Sequence, residues 1–183
     1  MPIETERLLL RRWSPSDSEA FARINSDPAV MRYFPAIYSR ERSDEMMRLC
    51  NAEIDLYGFS FWAVERKDTN DLIGFVGLHN FVDDLNFCPC VEIGWRLAQS
   101  QWGNGFATEA AKECLRLGFT EFDLESIYAF TTLGNKPSRA VMHKIGMANT
   151  GNDFNHPKVP IESGLQRHCL YKISKVEWLQ SSS

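Results

Sequence analysis

The sequence predicts an α/β sandwich, in which about four helices cover a mixed, largely antiparallel sheet of about seven strands. Two observations predict this class. Strand-like segments in the middle of the chain follow one another after short turns or loops, as in an antiparallel meander, whereas later ones alternate with helix-like segments. The 183 residues, 44% of them hydrophobic, are enough for the core of a single domain, which we expect to span 1–183.

Caps and chain breakers mark the predicted elements of the first half. Ser14 followed by Pro15 is typical of a helix start, and Ser39 is expected to cap a second helix that ends at Gly58. Alternating apolar residues predict strands, two of which form a hairpin. The predicted elements are a strand at 7–13, helices from 15 to about 25 and from 40 to about 56, and strands at 59–66, 72–78 and 91–97.

The clearest helix of the second half begins near Gly105. Small and apolar residues recur there at helical spacing and define one buried face. The members of this face are Ala107, Ala110, Ala111, Cys114, Leu115 and Gly118. The remaining predicted elements are a strand at 126–131, a helix from Asn135 or Pro137 to Gly146, and strands at 147–154 and 167–173.

Composition and charge exclude several classes of protein. A net charge of -4 gives no electrostatic support for a nucleic-acid partner, and the apolar runs are too short to span a membrane. The five cysteines have irregular spacing, which argues against a disulfide framework and favours the reducing cytoplasm. Cys88 and Cys90, with His79 nearby, look like half of a metal site, but no second pair completes it, so we expect no metal.

The most informative segment is 101–110, where Gly103 and Gly105 stand between a strand and a helix. Glycine lets the backbone turn tightly and approach a ligand closely, because it has no Cβ. The first amides of a helix lack partners within the helix, so together with the helix dipole they form an anion site. Thr108 adds a hydroxyl donor beside these amides.

Two common nucleotide-binding patterns do not fit this turn. A Walker A loop requires Lys-Ser/Thr after its second glycine, and none is present. The dinucleotide fingerprint requires a third glycine, where Thr108 stands, and an acid at the end of the next strand, whereas Asp123 precedes that strand. On spacing alone, the alternative is an ordinary glycine-rich loop before a helix.

This turn and several other segments resemble the GNAT acetyltransferase superfamily. Residues 102–107 are similar to motif A of that family, Gln/Arg-x-x-Gly-x-Gly/Ala, with Trp102 in the first place. Tryptophan there resembles the RimJ/RimL-like branch, which includes ribosomal-protein-alanine N-acetyltransferases. The resemblance extends in order over 5–11, 27–34, 92–95, 135–147 and 168–178. It implies the GNAT fold, with fourth and fifth strands that splay apart to hold acetyl-CoA.

The resemblance also implies how acetyl-CoA is held. The amides of the glycine turn bind its diphosphate, the fourth strand pairs with its pantetheine arm as with an added strand, and the helix from Asn135 contacts the arm or the phosphates. For Arg139 on that helix, a solvated surface is the alternative. The cofactor residues carried over in this way are Ile93, Trp95, Leu97, Trp102, Gly103, Asn104, Gly105, Phe106, Ala107, Thr108, Asn135 and Arg139.

The implied chemistry is attack of a neutral amine on a thioester. A main-chain amide near Leu97 is the candidate donor to the oxyanion. Ser138 is the candidate proton donor to the leaving thiolate, with helix capping as the alternative. Glu92 and Glu162 are the candidate bases. The alternatives are a structural ion pair for Glu92, which shares a strand face with Arg96, and a solvated loop for Glu162.

The acceptor is expected to be a primary amine, either of a small molecule or of a protein N-terminus. An α-amine, with a reference pKa of about 8, loses its proton more readily than a lysine, with about 10.4. Phe34, Tyr33 and Trp62 are candidates for lining the acceptor pocket, with core packing as the alternative. The sequence leaves open a non-catalytic acyl-CoA sensor and the choice between monomer and homodimer.

Overall fold

The computed structural model describes residues 2–181, and their strands form one nine-stranded sheet. The strands are β1 (Ile3–Glu4), β2 (Leu8–Arg11), β3 (Phe61–Arg66), β4 (Leu72–Phe81), β5 (Cys90–Leu97), β6 (Ser126–Thr132), β7 (Ala148–Asn149), β8 (Phe154–Asn155) and β9 (Arg167–Ser174). The helices are α1 (Ser18–Ser26), α2 (Arg40–Tyr57), α3 (Phe106–Thr120), α4 (Lys136–Lys144) and α5 (Lys175–Ser181). The sheet order is β1-β2-β3-β4-β5-β6-β9-β7, and β8 also pairs with β9.

The helix ends in the first half lie where the caps predict them. The Ser14 side chain accepts the amide hydrogen of Ser16 at the start of the short 3-10 turn that leads into α1. The Ser39 side chain accepts the amide hydrogen of Arg42, and Gly58 ends α2 with a φ of 84°. These are local signals, because a cap needs a particular side chain and a left-handed end favours glycine.

The sheet opens between β5 and β6. β5 pairs with β4 along its whole length, whereas its parallel pairing with β6 is limited to Glu92 opposite Tyr128. β6 in turn pairs along its whole length with β9. β5 and β6 therefore diverge beyond Glu92. They are the fourth and fifth strands of the sequence prediction, so the predicted splay is confirmed.

The two faces of β5 point into different surroundings. Ile93 and Leu97 join the main core together with the buried face of α3, which confirms the helical pattern predicted there. Glu92, Gly94 and Arg96 alternate with them and therefore point to the opposite face. We call that side the α2 face, because α1 and α2 pack over its neighbouring strands.

The C-terminal part differs from the prediction. The single strand expected at 147–154 consists of two short strands, β7 and β8, because the chain turns at Gly151, which has a φ of 73°. The Asn149 side chain accepts the Gly151 amide hydrogen and stabilises that turn. With β1 and α5, which were also not predicted, the described residues form nine strands and five helices instead of about seven and four. No helix among residues 2–181 is long and apolar enough to cross a membrane.

Candidate active site

The glycine turn has the backbone that the sequence predicts. Gly103 and Gly105 have φ values of 78° and 82°, a left-handed region that side chains with a Cβ rarely adopt. Trp102, which precedes them, donates its indole N–H to the carbonyl oxygen of Leu97 at 2.9 Å. This bond ties the turn to the end of β5, so the turn lies at the mouth of the opening between β5 and β6.

The main-chain amides of this turn are available to a ligand. Gly105 is the N-cap residue of α3, and no side chain caps that end of the helix. Within residues 2–181, no backbone or side-chain acceptor bonds the amides of six consecutive residues, 103–108. Unpaired donors at a helix start attract anions, and two glycines let a diphosphate approach them. The residues present therefore fit the diphosphate of acetyl-CoA.

Arg7, near the start of the sequence, contacts this turn and holds it in place. Its guanidinium donates to the Asn104 carbonyl oxygen at 3.0 Å, pairs with Glu109 and stacks over the Phe106 ring at 4.6 Å. Phe106 itself is a core residue, 6% exposed. Sequence reasoning assigned Arg7 only to the opening strand, and no local spacing signals a contact between residues that lie about a hundred positions apart.

β5 offers main-chain groups to the opening. Ala98 donates its amide hydrogen to Ile73 next to β4. Because successive residues of a strand point their N–H groups to opposite edges, the amides of Leu97, Trp95 and Ile93 point away from β4 and towards the divergence from β6. The side chains of Ile93 and Leu97 are in the core, so these two residues can contact a ligand only through the backbone.

The start of α4 distinguishes the roles that the sequence left open for Asn135 and Ser138. Asn135 is the cap: its side-chain oxygen accepts the Ser138 amide hydrogen, and its side-chain nitrogen donates to Thr131. Asn135 therefore holds the start of α4 in place, and its expected contact with the pantetheine or phosphate arm stays a prediction. Ser138 is not the cap, and its half-buried hydroxyl forms no hydrogen bond within residues 2–181. Arg139 donates to Tyr171 and to the Leu133 carbonyl oxygen.

Glu92 is half-buried on the α2 face. Burial raises the pKa of Glu92 to about 7, with the positive charges of His79 and Lys158 opposing this shift and the charge of Glu53 adding to it. Its carboxylate forms no ion pair with Arg96, so the structural pair considered as an alternative is absent from the described residues. A carboxyl group with a pKa close to neutral, next to the opening, is suited to accept a proton.

The other proposed base and one proposed pocket residue lie elsewhere. Glu162 is exposed in a short 3-10 turn. Trp62 is 4% exposed and packs in the main core, which corrects its expected place in the acceptor pocket. An aromatic residue in a strand gives the same local pattern in both settings, so the sequence could not separate them. Phe34 and Tyr33 are half-buried in the segment between α1 and α2.

A buried arginine connects that segment to β5. Arg96 is 6% exposed, and its guanidinium lies 4.2 Å from the Phe34 ring and 4.9 Å from the Tyr38 ring. It donates to the Asn25 side chain at 2.7 Å, and burial lowers its pKa. Phe34 is thus held over the β5 face that also carries Glu92, a placement that sequence reasoning gave no means to derive.

On the β6 side of Glu92, the surrounding side chains are mostly aromatic. A cavity of about 330 Å³ lies at the starts of β5 and β6, and Phe87, Cys90 and Tyr128 contribute to its lining. Around Phe87 lies a group of rings in tilted and edge-on contact that sequence reasoning did not identify. Its members are Phe81, Phe87, Phe130, Phe154, His156 and His168. Burial, with the neighbouring His168, lowers the pKa of His156 to about 4, so this imidazole is uncharged at neutral pH.

No set of three or more histidine, cysteine or acidic side chains in the described part of the chain is arranged to hold a metal ion. The cysteines Cys88 and Cys90 are free thiols. The residues near the opening therefore offer main-chain donors, a hydroxyl and carboxylates as their reactive groups.

Free amides at a helix start, next to a splayed strand pair, form a candidate site for a diphosphate. The GNAT acetyltransferase domain matches residues 7–148, and the chain belongs to this family. An acetyltransferase of the GNAT family from Bacillus anthracis has the same fold, with a TM-score of 0.79 at 30% identity, over 96% of this chain and 99% of that one.

Two relatives cover nearly all of this chain. YnaD of Bacillus subtilis, an uncharacterized N-acetyltransferase, is 30% identical over 179 residues, which cover 97% of this chain and 99% of the relative. The FsC-acetyl coenzyme A-N(2)-transacetylase of Aspergillus fumigatus is 37% identical over 185 aligned positions, which cover 97% of this chain and 78% of the relative. Together with the family match, they show that this chain is an acyltransferase.

Proposed function

We propose that this protein transfers the acetyl group of acetyl-CoA to a primary amine, by direct attack in a ternary complex. The observation that carries the proposal is the row of unpaired amides at 103–108, at the mouth of the opening between β5 and β6. The name of the Aspergillus relative, which includes acetyl coenzyme A, supports this choice of donor.

The binding residues follow from this arrangement. The amides of 103–108 hold the diphosphate, and Arg7 keeps the turn in shape. The free edge of β5 beyond the pairing of Glu92 with Tyr128 pairs with the pantetheine arm through the main chain of Trp95 and Leu97. Acetyl-CoA supplies an activated thioester, which an unprotonated amine can attack without a covalent enzyme intermediate.

Two groups of the chain act on the reaction. Glu92 accepts the proton of the incoming ammonium group, because it is half-buried beside the opening and has a pKa of about 7. Leu97, the expected source of an oxyanion donor, lies five residues along β5 from Glu92, about 16 Å away, so we assign its amide to the pantetheine arm instead. The free hydroxyl of Ser138 donates to the leaving sulfur. Glu162 has no part in this scheme, since it is exposed.

For the acceptor, we propose an amine that binds on the α2 face of β5, between Phe34 and the group of aromatic rings that includes Phe130. Both a small amine and a protein N-terminal α-amine have the chemistry required. The resemblance of Trp102 and its surroundings to the RimJ/RimL-like branch favours the α-amine, which also gives up its proton at lower pH.

Isothermal titration with acetyl-CoA tests the proposal. We expect saturable binding by the natural protein and none at high micromolar concentration by Gly105→Val, because valine is strained at a φ of 82° and its side chain blocks the amides. Gly151→Val is the matched control: Gly151 has a φ of 73°, is exposed and lies in the turn between β7 and β8, so this variant should bind normally.

Thiol release from acetyl-CoA across a panel of small amines and N-terminal peptides then tests turnover. Absence of acetyl-CoA binding by the natural protein would refute the proposal. Binding without release of thiol on any acceptor would instead favour a non-catalytic acyl-CoA sensor.

A further inference from the structure

Glu92 is part of a group of polar side chains contributed by three elements. Glu53 on α2 accepts a hydrogen bond from Ser60 and bonds the Nδ1 atom of His79 on β4 at 3.1 Å. His79 stands directly opposite Glu92 in the antiparallel pairing of β4 and β5. Directly opposed residues point to the same face of a sheet and lie close together, with Cβ atoms about 5 Å apart. One imidazole therefore stands between two carboxylates.

We propose that His79 and Glu53 form a positioning pair for Glu92, in which Glu53 keeps a proton on His79 and the resulting cation keeps Glu92 ionised to receive the proton of the acceptor ammonium. This inference rests on the proposed function and assigns it two positioning residues. Neither residue touches the reacting atoms; both act through the carboxylate of Glu92.

The charges agree with this arrangement. Burial acts to lower the pKa of His79, but its hydrogen bond to Glu53 and the charges of Glu92 and Glu53 raise it overall. Burial likewise acts to raise the pKa of Glu53, yet the hydrogen bonds from His79 and Ser60 lower it. An imidazolium beside Glu92 opposes the effect of burial, which otherwise leaves this carboxyl group protonated at neutral pH.

The exposure of the side chains also fits. The side chains of His79 and Glu53 are each 28% exposed, so the pair can exchange protons with water. The Phe61 ring lies 5.3 Å from the His79 ring and covers one side of it. The other charged or titratable groups around Glu92 are few, namely Lys158 before β9, Cys88 and Cys90 at the start of β5, and Tyr128 opposite it on β6.

The coupling is measured first, without turnover, by NMR titration of the imidazoles. The chain has four histidines, so the spectrum of His79→Gln identifies the His79 signal. We expect the pKa of His79 to fall in Glu53→Gln and in Glu92→Gln, because each loses a carboxylate that favours the cation. Glu45→Gln is the matched control on α2, since Glu45 is exposed and pairs with Arg48, and it should leave His79 unchanged. If the pKa of His79 were the same in Glu92→Gln as in the natural protein, the proposal would be overturned.

The pH profile of kcat/KM then tests the effect on Glu92. Activity requires ionised Glu92, so kcat/KM rises with pH through the pKa of this group. Loss of the neighbouring cation in His79→Gln raises that pKa, and we expect the acidic limb to move to higher pH by about one unit. If His79 had only a structural role, its replacement would lower kcat/KM by the same factor at all pH values, and that result would refute the positioning role.

The outcomes separate the two proposals. A natural protein that binds acetyl-CoA but acetylates no amine would overturn the proposed function, and with it the role of the pair, even if His79 and Glu92 are coupled. An active protein whose acidic limb is the same in His79→Gln would overturn the positioning pair alone.

Discussion

The two sides of the opening between β5 and β6 are built in different ways. On the proposed acetyl-CoA side, the available groups are main-chain atoms: the amides of 103–108 and the free edge of β5. On the proposed acceptor side, they are side chains from several elements, with His79, Glu92 and Arg96 on the α2 face of the sheet and Glu53 on α2 itself. A site made of backbone is robust to many substitutions but requires glycine at the turn, whereas a site made of side chains depends on each of them.

This difference predicts where substitutions act. A change in the turn should weaken acetyl-CoA binding and leave the acceptor side intact, whereas a change on the α2 face should slow the reaction and leave acetyl-CoA binding intact. Two quantities separate these cases for any variant: the affinity for acetyl-CoA, and kcat/KM with an acceptor amine.

The largest effect is expected for Glu92→Gln. The amide keeps the shape of the side chain but cannot accept a proton from the acceptor, so kcat/KM should fall by about 10²- to 10⁴-fold. The dissociation constant for acetyl-CoA, measured by titration calorimetry, should stay the same because Glu92 points to the α2 face. Glu162→Gln should change kcat/KM by less than about twofold. Full activity of Glu92→Gln would show that another group, or water alone, removes the proton.

The same difference explains how much the sequence could predict. Helix ends at Ser39 and Gly58, and the turn at Gly103, need particular residues at particular positions, so they leave a local signal. The fold class predicted from such signals and from the family resemblance is confirmed, whereas the diphosphate site stays a prediction that the resemblance favours over an ordinary glycine-rich loop. By contrast, the contact of Glu53 with His79 joins residues of separate elements, and no spacing indicates it.

Errors arose where one local pattern suits two environments. Trp62 alternates as a strand residue should, but whether an aromatic side chain enters a core or a pocket depends on what packs over it. At the start of α4 the sequence left two roles open for Ser138, since both Asn135 and Ser138 cap helices well, and the structure shows that Asn135 takes the cap.

A smaller effect is expected for Ser138→Ala. It removes a hydrogen bond to the developing thiolate, a charge-assisted bond of about 1.5–3 kcal/mol, so kcat should fall by about 10- to 150-fold. Urea unfolding should give the same stability as the natural protein, because Ser138 does not cap α4. Asn135→Ala is the contrasting variant and should lower the free energy of unfolding by about 1 kcal/mol through loss of the cap. A stability loss in Ser138→Ala without a change in kcat would reverse the two assignments.

The smallest effect is expected for Arg7→Gln, on the acetyl-CoA side. The Arg7 side chain is 45% exposed and paired with Glu109, and its contribution is to hold the Asn104 carbonyl oxygen and cover Phe106. An exposed contact of this kind is worth up to about 1 kcal/mol, so acetyl-CoA should bind about two- to fivefold more weakly, while the KM for the acceptor stays the same. Arg12→Gln is the control, because Arg12 forms an exposed pair with Asp55 and takes no part in the turn. If Arg7→Gln raised the acceptor KM instead, the two sides of the opening would not be separable as described, since a side chain at the glycine turn would then shape the acceptor site as well.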